Sequence, residues 1–129
     1  MNKICWSENF KIRLASCDDS MMLHDVIKLM VVKKLLKKYE RDRNFLRIYT
    51  EHPLENGLIC DVYMENARTK EAFAYEIQKN VSKAWLESRK NVYKNWEVPF
   101  FTSDWIMIPI KEAPNDLDEL NKWLDKFIF

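Results

Sequence analysis

"AFAYEIQKNVS", residues 72–82, is the stretch on which the fold turns. Side chains alternate between the faces of a strand, so Phe73, Tyr75, Ile77 and Lys79 share one side. Ala72, Ala74, Glu76 and Gln78 share the other. The first side is suited to packing. The second sets a carboxylate and an amide behind two small residues, which is a poor surface for burial unless the polar pair has a use.

The elements around this strand can be read outward from it. "LICDVYM" (58–64) and "EAFAYEIQ" (71–78), joined by the polar "ENARTK" (65–70), read as a hairpin. "NFLRIYTE" (44–51) reads as the strand before them, ahead of "HPLENG" with Pro53 and Gly57. Further upstream, "FKIRLA" (10–15) alternates like a short strand, and Ser20 is a candidate N-cap for a helix over about 21–40. Its apolar stripe is Leu23, Val26, Ile27, Met30, Val31, Leu35 and Tyr39. Downstream, the spacing of Ala84, Trp85, Leu86, Val92, Tyr93 and Trp96 predicts a helix over 81–96. "DWIMIPI" (104–110) has the continuous apolar character of a buried strand. After Pro114, a helix capped by Asn115 or Asp116 would bury Leu117, Leu120, Trp123, Leu124 and Phe127. Three meandering strands and a helical crossover to a fourth predict an α/β fold. It has a mixed four-stranded sheet flanked by helices, an extra C-terminal helix, and one domain over 1–129.

Composition narrows the classes of function. With one glycine in 129 residues there is no Gly-rich phosphate loop, which excludes P-loop and dinucleotide-binding readings. The start, "MNKICWSENF", lacks the apolar core of a signal peptide, and no apolar run approaches a bilayer span, so no membrane partner is expected. Cys5, Cys17 and Cys60 are odd in number and lack C-x-x-C spacing, which points to reduced thiols and a cytoplasmic location. The net charge of +1 hides an asymmetry: residues 97–129 hold seven acids against three bases, and the excess of base lies before them. "KLMVVKKLLKKYERDR" (28–43) alone has seven bases and two acids. Such a run is either a solvated helix face or an electrostatic footprint for a polyanion.

Aspartate is depleted in strands, yet Asp61 stands in the middle of one and Glu76 near the end of its hairpin partner. Two carboxylates brought together repel unless a proton or a cation lies between them. Mg²⁺ or Mn²⁺ is satisfied by one or two carboxylates, waters and phosphate oxygens. The alternative is that Asp61 caps a bulge or pairs with an arginine such as Arg47, with Glu76 in an ordinary ion pair. Gln78, on the same face as Glu76, can position a water; Lys79 is either a DNA-backbone contact or a solvated strand end.

The pattern Asp61…Glu76-x-Gln78 on this chain of elements resembles the PD-(D/E)XK nuclease superfamily, closest to its RecB-like and competence CoiA-like branches. "HDVIK" (24–28) is similar to the His-x-x-x-Lys of those branches' first helix, and "CDV" (60–62) stands where the family has Pro-Asp-Val. Arg89, Tyr93 and Trp105 match the run that follows the Glu-x-Gln strand. Cys60 departs from the family's proline and Gln78 from its lysine.

The resemblance implies a restriction-endonuclease-like αβββαβ core over about residues 20–110. It implies His24, Asp61, Glu76 and the backbone carbonyl of Ile77 as ligands of Mg²⁺ or Mn²⁺, with Gln78 orienting the attacking water. Lys28 and Arg89 would hold the phosphate backbone, Arg89 bracing Glu76 as an alternative, and Tyr93 would share the DNA-facing side or belong to the core. Lys33, Lys34, Lys37 and Lys38 would add sequence-independent DNA affinity. His52, beside Pro53, has no such context. The expected function is DNA phosphodiester hydrolysis, with a homodimer as one arrangement. The alternative is a catalytically silent nuclease-fold module that binds DNA or protein.

Overall fold

The computed structural model describes residues 10–11 and 22–129. Ser20, Cys5, Cys17 and residues 12–15 of the first expected strand lie outside them. Strand β1 (Phe10–Lys11) is followed by helix α1 (Met22–Lys38) and a 3₁₀ turn over Glu40–Phe45. Then come β2 (Leu46–Pro53), β3 (Ile59–Asn66), β4 (Glu71–Gln78), helix α2 (Lys83–Lys94), β5 (Thr102–Pro109) and helix α3 (Leu117–Leu124).

The strands lie in one sheet in chain order, β1-β2-β3-β4-β5. The pairs β2–β3 and β3–β4 are antiparallel, whereas β4–β5 is parallel and β1 adds a parallel stub beside Ile48 and Tyr49. This is the expected mixed α/β sheet flanked by helices. The parallel pair needs a crossover, which α2 supplies, capped by the Ser82 hydroxyl accepting from the Trp85 amide at 3.0 Å.

Two apolar clusters form, one on each face. On one, Ile27, Val31, Val32 and Leu35 of α1 and Leu120 and Leu124 of α3 pack on Ile48, Met64, Tyr75, Ile77, Ile106 and Ile108. On the other, Tyr93 and Trp96 from α2 and its exit cover Cys60, Tyr63, Ala72 and Ala74. The small residues of "AFAYEIQ" thus make room for aromatic rings: Tyr93 and Trp105 stack at 4.9 Å and 7°.

Three expectations are corrected. "DWIMIPI" forms the edge strand among the described residues, where only Ile106 and Ile108 of it are buried, because no described strand pairs beyond it. Leu117 is 67% exposed, since Asp116 caps α3 through the Glu119 amide and the first turn projects past the sheet. Residues 44 and 45, assigned to a strand, belong to the 3₁₀ turn. There, buried Asp42 accepts from Arg68 and Asn66 and ties the turn to the β3–β4 hairpin. Among the described residues, no helix is long and apolar enough to cross a membrane.

Candidate active site

The strand alternation slips at one place. Val62 packs on the α1 side, yet Cys60, two residues away, packs on the α2 side. On β2, Tyr49 and His52 stack at 5.1 Å although they are three residues apart. The β2–β3 register pairs Thr50 with Val62 and His52 with Cys60, passing over Glu51 and Asp61 between them. Glu51 has a φ of 50°, a conformation that non-glycine residues rarely adopt. The pairs on either side keep one register, so a single residue of each strand leaves the ladder and its carboxylate turns toward α1.

Asp61 uses that freedom. The β3–β4 ladder runs to Val62 opposite Tyr75, and beyond it Asp61 Oδ2 accepts from the Ile77 amide at 2.6 Å. The other oxygen, Oδ1, lies 3.1 Å from His24 Nε2. Glu76, one residue before Ile77, is 4% exposed, and its Oε1 accepts from the Tyr93 hydroxyl at 2.8 Å. These groups line a cleft of about 390 Å³ together with Leu23, Ile59, Gln78, Lys79, Arg89 and Ile110.

Charge sets the chemistry of the cleft. Burial, then the neighbouring Asp61 charge, push the Glu76 carboxyl above its ordinary value, against the Tyr93 hydrogen bond. The bond to Asp61 raises His24 above the ordinary 6.5, outweighing burial. The Cys60 thiol is driven up by burial and by the charges of Glu76, Asp61 and Glu51, and so stays a thiol.

As they stand, among the described residues, no three His, Cys, Asp or Glu side chains surround a common point as metal ligands do. Two of the expected ligands nevertheless have a fitting geometry. Neighbouring ligand atoms on one ion, each about 2.1 Å from it and at right angles, lie about 3 Å apart. His24 Nε2 and Asp61 Oδ1 have that spacing. The far ring nitrogen of His24, Nδ1, is buried without a hydrogen bond and faces Asp25 at 3.7 Å, the side from which carboxylates orient ligand imidazoles.

The remaining expected residues separate into three places. Gln78 and Lys79 both line the cleft, because β4 ends at Gln78 and alternation no longer governs its successor. Arg89 lines it too, its guanidinium 5.3 Å from the Trp85 ring. Tyr93, expected on a DNA-facing side or in the core, is 6% exposed and turned onto Glu76. Lys28 has no exposed surface; its ammonium is hydrogen-bonded to Glu51 and lies 3.6 Å from Asp25. Lys37 is thirteen residues beyond His24 on α1, about 20 Å along the axis at 1.5 Å per residue. The basic run therefore lies at the other end of α1: Lys33 is exposed, Lys34 pairs with Asp125, and Lys37 and Lys38 line a separate groove with Arg41 and Arg68. Sequence reading missed Glu51 altogether. A glutamate in a strand flanked by Thr50 and His52 has no marker, since the backbone turn that re-aims it is not written in residue type.

Two measurements probe this geometry. Tyr93→Phe removes the donor to a buried carboxylate; stability falls by about 1–3 kcal/mol and Mn²⁺ affinity by about tenfold, read by thermal melts and titration. The raised pKa of His24 fixes a pH dependence. Its contribution to stability is present below 6.5 and lost as pH rises through the folded-state value, whereas an ion requires the deprotonated ring. The gap in Tm between Mn²⁺ and EDTA samples should therefore widen from about pH 5.5 to about pH 8.5.

No family model, curated protein or solved structure matches this chain.

Proposed function

We propose that this chain is a metal-dependent nuclease of the PD-(D/E)XK kind, with a restriction-endonuclease-like core, that hydrolyses DNA phosphodiester bonds. The observation carrying the proposal is Asp61, set where two strands part and linking His24 of α1 to the Ile77 amide beside Glu76. Glu76, buried beside the Asp61 charge, has its pKa raised by burial first and by that charge after it, in the manner of functional sites.

His24, Asp61, Glu76 and the Ile77 carbonyl would hold Mg²⁺ or Mn²⁺. When bound, such an ion neutralises charge on the scissile phosphate and acidifies a nearby water. Around it the chain has distinct tasks. Gln78, whose amide nitrogen donates to the Asn80 carbonyl at 3.2 Å, is held at the cleft to orient the water. Lys79 and Arg89 bring positive charge to the same cleft and engage the phosphate backbone. Tyr93 fixes the rotamer of Glu76. The basic run, one helix length away, adds salt-sensitive affinity without touching the reaction.

The rival reading, a nuclease-fold module that binds DNA or protein without cutting, draws on the closed His24–Asp61 pair. One assay separates them: supercoiled, linear and branched DNA incubated with the wild type and Asp61→Ala, in Mn²⁺ and in EDTA. Mn²⁺-dependent cuts that vanish in the variant support the nuclease. Cutting that is indifferent to Asp61 overturns it, and DNA retention without any cutting favours the rival.

A further inference from the structure

We propose that the end of the sheet opposite the cleft is a docking surface for single-stranded DNA, with Lys37, Lys38 and Arg41 meeting its phosphates and Phe100 stacking on a base. The inference rests on the affinity of the basic run for DNA proposed above, and not on cutting.

Phe100 sits where the fold does not call for it. The Phe101 amide donates to the Val98 carbonyl at 3.0 Å and closes a turn with Pro99 and Phe100 at its centre. Phe100 has a φ of 70°, the type II arrangement, in which Gly or Asn is the ordinary occupant. A bulky side chain is an outlier there, and this one is 94% exposed. Neither backbone nor burial gains from a phenylalanine at this place. An aromatic face held out in solvent is what an unpaired base stacks on, whereas a duplex keeps its bases stacked on one another.

The turn is tied to a basic surface. Thr102, just after it, donates its amide to the Lys70 carbonyl at 2.7 Å, and the Lys70 ammonium lies 5.7 Å from the Phe101 ring centre. Lys70 belongs to the β3–β4 hairpin, where the Ala67 amide donates to the carbonyl of Phe45, itself 50% exposed. Between these two points Arg68 pairs with Asp42 at 2.8 Å and lines a groove of about 430 Å³ with Lys37, Lys38 and Arg41. Asp42 is taken by Arg68 and Asn66, which leaves Glu40 as the other acid of the groove. Residues 37–45, 66–71 and 97–101 together hold six bases against four acids, so the surface is net positive and suits a polyanion. From this hairpin β4 runs from Glu71 to Gln78 in the cleft, about 23 Å at 3.3 Å per residue. The surface therefore holds a strand and takes no part in the chemistry of the cleft.

The test is fluorescence anisotropy of labelled oligo(dT), oligo(rU) and a DNA duplex of similar length, in EDTA so that no metal takes part. The wild type should hold oligo(dT) more tightly than the duplex. Phe100→Gly suits the turn, so its Tm should equal or exceed the wild type's while oligo(dT) binding weakens by at least about fivefold. Phe100→Leu should lose as much, and Phe100→Trp should stay within about twofold of the wild type. The Lys37→Gln, Lys38→Gln double variant should lower the slope of log Kd against log salt by about 1.4. Oligo(dT) binding that is indifferent to Phe100, kept by leucine, or matched by the duplex overturns the proposal, and an unchanged salt slope overturns the part given to the groove. The same pattern on oligo(rU) alone overturns DNA as the occupant. No binding of any probe removes both this surface and the affinity of the basic run. Phe100-dependent binding by a protein that cuts no DNA in Mn²⁺ removes the nuclease reading and leaves this one standing.

Discussion

Asp61→Asn is expected to reduce Mn²⁺-dependent DNA cleavage by at least about 100-fold while leaving the fold intact. The amide is the sharper substitution because Asp61 has two tasks. Its Oδ2 accepts from the Ile77 amide at 2.6 Å, which an asparagine oxygen can still do, with the NH₂ turned to a neutral His24 ring. Alanine would abandon that backbone donor where the ladder has already ended, costing about 1–3 kcal/mol and mixing a folding defect into the assay. Asparagine removes the charge and little else. Circular dichroism and a melt establish the fold, and a Mn²⁺ titration with plasmid nicking establishes the loss. An Asn variant that cuts at the wild-type rate would sink the mechanism.

Glu76→Gln should separate stability from function in opposite directions. Glu76 is 4% exposed, and burial is the foremost cause of its raised pKa, with the Asp61 charge adding to it and the Tyr93 bond opposing it. For a raised group, the contribution to stability is present below the unfolded value of 4.5 and lost as pH rises through the folded one, so neutral pH bears the full cost. Glutamine keeps the oxygen that accepts from Tyr93 and drops the charge. The expected result at pH 7 is a Tm higher by about 2–6 °C, an advantage that shrinks as pH falls toward 4.5, with cleavage lost by at least about 100-fold. A variant less stable than the wild type at neutral pH would mean that the carboxylate is stabilised by its surroundings, and the case for a site seeking a cation would fail.

Much of the fold could be read without coordinates because it depends on period and punctuation. The hairpin strands, the helix after them and the crossover to a further strand each have a local pattern, and residues 71–78 match β4 end to end. Where the expectations missed, nonlocal packing decided. "DWIMIPI" has the composition of an inner strand but lies at an edge, and Leu117 keeps its helical spacing while its turn overshoots the core.

The candidate site divides in the same way. Residue type and order along the chain pointed to Asp61, Glu76 and Gln78, since carboxylates are exceptional in strands, whereas His24 and Arg89 entered only through the resemblance to a nuclease family. Alternation alone, however, puts Asp61 on the same side as Tyr63, under α2 and away from His24. Only the assembled sheet, with its paired slip at Glu51 and Asp61, turns that carboxylate to α1 and makes Glu51 the counter-charge of a buried lysine. The physical reason is that the turn takes one residue from each of two strands at once: either strand alone is free to alternate, and only in the assembled sheet does the Glu51 carboxylate meet the buried Lys28 ammonium, which is costly inside the protein without anions beside it.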